Sequence, residues 1–169
     1  MDALQALLTR RSVRQFTDQP ISEDDLETIL RAAMMAPSAG NQQSWQFVLI
    51  TDREVLNHVP TYSPNASMAS QAQAAILICG DLSKEAHKGF WVQDCSAALE
   101  NLLLAAHALG LGAVWTGIYP GERHVAAFRK EFGLPVNIIP LAFIPIGYPA
   151  VIPPTTDRYD IERIHKNRW

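Results

Sequence analysis

The sequence predicts one domain in which α-helices alternate with buried β-strands. Three observations carry this. Segments with the 3.6-residue apolar period are interleaved with short unbroken apolar runs. No repeat, low-complexity tract or Ser/Gly linker divides the 169 residues. The composition is that of an ordinary globular chain, 48% apolar and 18% charged.

Taken in order, the first element is a short helix with an apolar face at Leu4, Leu7 and Leu8. The segment Arg10–Phe16 breaks its period and reads as a turn or extended connector. Ser22-Glu23-Asp24-Asp25 resembles a capping box opening a helix, with Leu26, Ile29, Leu30, Ala33 and Met34 on one stripe and Pro37 as its stop. Gln46–Ile50 reads as a strand covered on both faces, and Ala74–Cys79 as a second. A helix lies between them, near Arg53 to Val59. From Trp91 to Leu109 the pattern is helical and apolar nearly all round, so core, a partner subunit or both must cover it. Gly110 suits its C-terminal cap. Ala113–Thr116 reads as a third strand, Glu122–Phe132 as a helix, and Ile138–Ile146 as an extended segment that Pro140 and Pro145 pull toward a sheet edge. Asp157–Trp169 has too few apolar residues for a core of its own and needs another surface.

Composition excludes several classes. A chain this long buries about two-thirds of its unfolded surface unaided, and two cysteines cannot build a disulfide scaffold. No apolar run approaches the roughly 18 residues that span a bilayer, and no leader-like start is present. A net charge of −3 and a pI near 5.9 argue against general attraction to nucleic acid or anionic membrane. A cytoplasmic protein with no nucleic-acid or membrane partner is expected.

Hydrolytic chemistry finds no motif: there is no Gly-x-Ser-x-Gly elbow, and the five histidines lack metal-ligand spacing. Neither catalytic side chain nor metal is therefore assigned. Cys95 sits in an apolar helix, as a packing thiol does. Gly110-Leu111-Gly112 closes a helix and opens a strand, the reverse of a dinucleotide fingerprint. Two features remain. Arg10, Arg11 and Arg14 place three positive charges in five residues of an acidic chain, either a solvated turn or an anion site. Pro37–Trp45 is dense in amides and hydroxyls, either a well-bonded turn or a frame for the polar edge of a flat heterocycle.

Arg10-Arg11-Ser12-Val13-Arg14, Pro37-Ser38 through Asn41-Gln42-Gln43-Ser44-Trp45, and the run Ala98-x-Glu100-Asn101-Leu102 to Gly112 occur in that order. Together they resemble the nitroreductase family of FMN flavoproteins. Arg158-Tyr159 with His165 and Arg168-Trp169 is similar to the ending of its short branch, so the likeness covers nearly the whole chain. The strands alone admit a doubly wound parallel sheet; the resemblance implies instead an α+β fold, a mixed, mainly antiparallel sheet surrounded by helices in an intertwined homodimer. One domain would cover 1–169, with about 157–169 crossing onto the partner subunit.

For the site, the resemblance implies that Arg10, Arg11, Ser12 and Arg14 contact FMN from one subunit, the arginines toward phosphate and Arg14 nearer the ring. Pro37, Ser38, Ala39 and Asn41 would come from the other subunit. Gln43, Asn65 and Thr116-Gly117 are implied near the ring, and Arg158 at the phosphate. Thr156 stands where many relatives place a lysine, so Arg158 would matter more. The implied activity is NADH- or NADPH-dependent reduction of small flat acceptors such as nitroaromatics and quinones, with flavin N5 carrying the hydride in a ping-pong cycle. Free-flavin reduction, enoate reduction, oxidation of a peptide-derived ring and a non-catalytic FMN-binding role stand as alternatives.

Overall fold

The structure is a computed structural model describing residues 1–169. Two short helices, α1 (Ala3–Thr9) and α2 (Glu23–Met34), precede strand β1 (Trp45–Ile50). Helix α3 (Arg53–Tyr62) and a 3-10 segment, Pro64–Gln71, lead to β2 (Ala74–Asp81). The long α4 (Trp91–Ala108) is followed by β3 (Gly112–Ala113), β4 (Thr116–Gly117), α5 (Glu122–Glu131) and β5 (Ile138–Gly147).

The sheet runs β1-β2-β5-β3, with β4 also pairing β5, and every ladder is antiparallel. The one parallel pairing is an isolated bridge from Ser12 to Ala113. Side chains of β2 alternate between two cores. Ile76 and Ile78 join Leu99, Leu102 and Leu103 of α4 on one face, while Ala75, Leu77 and Cys79 join Leu56, Val59 and Phe128 on the other. All eight β2 residues are buried, which explains the unbroken apolar run: neither face offers water to a polar residue.

Local chemistry sets the helix ends. The Ser22 hydroxyl accepts from Asp25 N at 3.1 Å, and the Asp52 carboxylate caps α3 at Glu54 N and Val55 N. Beyond α4, Leu111 N donates to Ala106 O and Gly110 N to His107 O, the paired bonds of a Schellman closure.

Four expectations change. The prolines of β5 do not put it at an edge, for it lies between β2 and the β3–β4 pair. Pro145 shares the side of Leu141 and Phe143, whose carbonyls accept from Ile118 and Thr116, and falls in the gap between β4, which pairs residues 142–143, and β3, which pairs 146–147. Pro140 stands at the irregularity opposite Ile78 and Cys79. Each proline thus occupies a place where a ladder N–H is dispensable. The expected strand Ala113–Thr116 is divided between two dipeptide strands, because Val114 and Trp115 fall beside the unpaired stretch of β5 at Pro145, which has no N–H to offer a ladder. β1 is the edge strand and only partly covered, with Leu49 42% exposed. The apolar face of α1 lies open in the single chain: Leu4, Leu7 and Leu8 are exposed and only Ala6 is buried.

No helix is long and apolar enough to cross a membrane.

Candidate functional site

The basic segment reaches the sheet because residue 112 is glycine. A Cβ there would lie 2.6 Å from Val13 Cβ, so only a bare backbone lets Val13 N donate to Ala113 O at 3.0 Å. That bond and the Ser12–Ala113 bridge fix the direction of Arg10–Arg14. Arg10 then turns to α4 and donates from Nε to Glu100 Oε1 at 3.2 Å. Arg11 bonds four carbonyls: Leu8 O, Arg10 O, Pro154 O and Thr156 O. Through the last two it holds the C-terminal segment against α1.

A cleft of about 480 Å³ opens there, lined by Leu7, Leu8, Arg10, Arg11 and residues 155–159, including Arg158. Three arginines from opposite ends of an acidic chain therefore line one concavity. Arg14 is exposed, and neither it nor Arg158 enters any of the chain's ion pairs. Behind the cleft, His107 Nε2 lies 2.8 Å from Thr9 Oγ1, whose hydroxyl donates to Gln5 O at 2.6 Å. With that proton committed, the imidazole is the donor in the His107–Thr9 bond. Burial, aided by the charges of Arg10 and Arg11, holds the His107 pKa below the usual histidine range.

The second feature is built around Asp94 in the first turn of α4, a residue no sequence motif marks. Its carboxylate is buried, 3% exposed, and accepts from Ala39 N at 2.9 Å, Gln42 Nε2 at 2.6 Å and Ser44 Oγ at 3.1 Å. The Ser38 hydroxyl accepts from Gln43 N, and Gln43 Nε2 donates to Asn41 Oδ1. Gly40, Asn41 and Gln43 all have positive φ, 53°, 56° and 47°. Left-handed backbone at two non-glycine residues costs energy and persists only where surroundings over-determine it. Here Asp94 and Ser38 do so, leaving Pro37, Gly40, Asn41 and Gln43 exposed and Ser38 and Ala39 half-buried.

The other expected residues are scattered. Asn65 is exposed on the 3-10 segment. Thr116 is buried and its hydroxyl donates to Phe143 O, while Gly117 is exposed on β4 with open space where a Cβ would stand. One chain brings Arg10, Arg11 and Arg158 together but keeps Pro37–Gln43 apart from them. The basic segment is tied to α4 at Glu100, and the end of α1, just before it, at His107, six and thirteen residues beyond Asp94, about 9 and 20 Å along the axis. No residue of the 37–44 loop lines the guanidinium cleft.

The cysteines take no part. Both are buried and free, and burial pushes the Cys79 thiol up to about 12 and Cys95 further in the same direction.

The chain matches the Nitroreductase family over residues 7–77 and 57–148. It is 48% identical, over its whole length and 88% of the relative, to a Methanothermobacter thermautotrophicus protein provisionally named NADH dehydrogenase/NAD(P)H nitroreductase. A crystal structure from Parabacteroides distasonis with the same provisional name superposes with a TM-score of 0.94 at 41% identity, covering 98% of each chain. Another, from Desulfovibrio desulfuricans and described as a nitroreductase in complex with FMN, has a TM-score of 0.86 at 30% identity, covering 100% of this chain and 99% of that one. On its sequence match and its architecture together, the chain belongs to the nitroreductase family.

Proposed function

We propose that the chain is an NAD(P)H-dependent, FMN-containing oxidoreductase that reduces nitroaromatics, quinones or similarly flat acceptors. The observation that carries the reading is the meeting of Arg10, Arg11 and Arg158 in one cleft of a chain with net charge −3. Such a donor set fits a phosphate dianion, which guanidinium forks bind through charge-assisted bonds. FMN fits both halves of the site: its phosphate suits the guanidiniums, and its ring edge, which carries donors and acceptors, suits the amides of Asn41 and Gln43. Ser12 is proposed for the phosphate side, and Arg14 for the ring's polar edge. Asn65 and the Thr116-Gly117 backbone are proposed for the ring.

The two halves lie at different places along α4, and we assign them to different subunits of an intertwined homodimer. Large apolar side chains left uncovered support this: Leu8 is 74% exposed, Met35 80%, Ile152 80% and Trp169 fully so. A shallow apolar hollow between α1, α2 and α4, lined by Leu7, Ala32, Met35, Leu104, Ala105 and Ala108, is the proposed seat of the partner. In this arrangement residues 1–169 form one domain, about 157–169 cross to the other subunit, and the enzyme works in the cytoplasm.

FMN, when bound, supplies two-electron chemistry by accepting and releasing hydride. This chain's residues do the rest. Arg10, Arg11 and Arg158 would hold the phosphate, and the 37–44 loop would frame the ring edge with the amides of Asn41 and Gln43. No nucleophile or metal is required. Nicotinamide and acceptor both need contact at about 3–3.5 Å with the same reacting atom, so they occupy one volume in turn. Initial rates varied in both substrates test the reading: parallel double-reciprocal lines are expected. A colourless protein that ignores added FMN would overturn it.

A further inference from the structure

We propose that Asp94, Gln42 and His87 form a positioning relay that holds the flavin-framing loop in its left-handed conformation. The inference rests on the FMN reading above and assigns a role to residues outside the expected contacts. The Gln42 amide is fixed at both ends: its nitrogen donates to Asp94 Oδ2 at 2.6 Å, and its oxygen accepts from His87 N at 2.9 Å. A carboxylate only accepts and a backbone N–H only donates, so each bond by itself sets the orientation of the amide, and the two agree on the same one.

His87 in turn lies on the loop. A Cβ on Gly40 would come within 2.3 Å of His87 Nε2 and 2.7 Å of its Cδ2, so the imidazole occupies the space that a side chain at position 40 would need. Gly40 is glycine for two reasons, its φ of 53° and this contact. Asp94 Oδ1 anchors the neighbouring residue through Ala39 N. The buried carboxylate thus reaches the loop directly at residues 39 and 44, and through Gln42 it seats His87 over residue 40. None of the three needs to touch FMN. Their effect is to keep the ring-edge groups of Ser38–Gln43 in place before the cofactor arrives.

The chemistry of the relay suggests its own test, a donor–acceptor swap. Asp94→Asn leaves one carbonyl oxygen where two carboxylate oxygens served: turned to Gln42 and Ser44, it sets its N–H₂ against Ala39 N, and turned to Ala39 N, it sets its N–H₂ against the Gln42 N–H₂, where relief by flipping Gln42 breaks the bond to His87 N. Gln42→Glu places two carboxylates in contact. In the double variant Asp94→Asn/Gln42→Glu, the new amide at position 94 donates to the new carboxylate at position 42. That carboxylate still accepts from His87 N, and net charge is unchanged.

FMN affinity is read by fluorescence quenching, and protection of the 37–44 amides by hydrogen exchange on the FMN-free full-length protein. Each single variant is expected to raise the FMN Kd about tenfold and to speed exchange at Ala39 and Gln43. The double variant is expected to return both toward native values. Single variants indistinguishable from native, or a double variant no better than Asp94→Asn, overturn the relay. If Asp94→Asn does not fold, His87→Ala, at an exposed position, decides: a Kd raised threefold or more supports the relay, and an unchanged Kd overturns it. A native protein that binds no FMN would instead remove the functional reading, so the two failures are distinguishable.

Discussion

Reversing the charge of Arg158 tests the phosphate assignment with little disturbance of the fold. Arg158 is exposed, lies beside the cleft with Arg10 and Arg11, and enters no ion pair, so folding of the chain does not draw on its charge. A guanidinium–phosphate bond falls in the range of about 1.5–3 kcal/mol for charged hydrogen bonds, and exposure to water and salt places this one at the lower end. The expected loss in Arg158→Glu is about 1.5 kcal/mol, roughly a tenfold rise in the FMN Kd, with the melting temperature of the FMN-free protein unchanged. Arg11→Glu should differ in kind. It also loses the bonds to Pro154 O and Thr156 O that hold the C-terminal segment, so both cofactor affinity and thermal stability fall. Fluorescence titration at low and high salt measures both variants, and the native affinity should show the steeper salt dependence. An Arg158→Glu protein that binds FMN within about twofold of native at low salt would refute the assignment.

Ending the chain before Asp157 removes Arg158 and the proposed crossing segment together; aggregation or a flavin-free species is expected on size exclusion with absorbance detection, and a soluble, yellow, active monomer would count against a shared site. The native protein should show no fast thiol reaction at pH 8 and two thiols after denaturation, because burial holds Cys79 and Cys95 protonated. Asp81 has its pKa lowered by hydrogen bonds from Ser83, Asn137 and Gln46. A depressed folded-state pKa gives stability that is present above the unfolded value, about 3.9, and lost as pH falls through the folded one. Asp81→Asn should therefore lose less stability than native on acidification below about pH 4, as followed by melting temperature, and identical acid slopes would contradict the assignment.

Periodicity locates α2, α4, α5 and β2 to within a residue or two, because each buries a face continuous in sequence. It misreads elements whose environment is set from elsewhere. Pro145 looks like an edge residue until β3 and β4 are seen to leave a gap beside it, and Val114 and Trp115 look like strand until that same gap is seen to leave them without ladder partners. Arg10, Arg11 and Arg14 are conspicuous as local charge, but Arg158 is brought to them only by carbonyl bonds from Arg11 across more than 140 residues. Asp94 is invisible for another reason. A single carboxylate in the first turn of a helix is common, and only the three donors converging on it from residues 39, 42 and 44 distinguish it.

The central claim is that one site passes hydride first in and then out, and anaerobic single-turnover mixing tests it most directly. FMN-loaded protein mixed with NADH or NADPH in the absence of acceptor should lose its yellow absorbance completely, and a later addition of nitroaromatic or quinone should restore it. Absorbance that stays unchanged until the acceptor is also present would contradict the account.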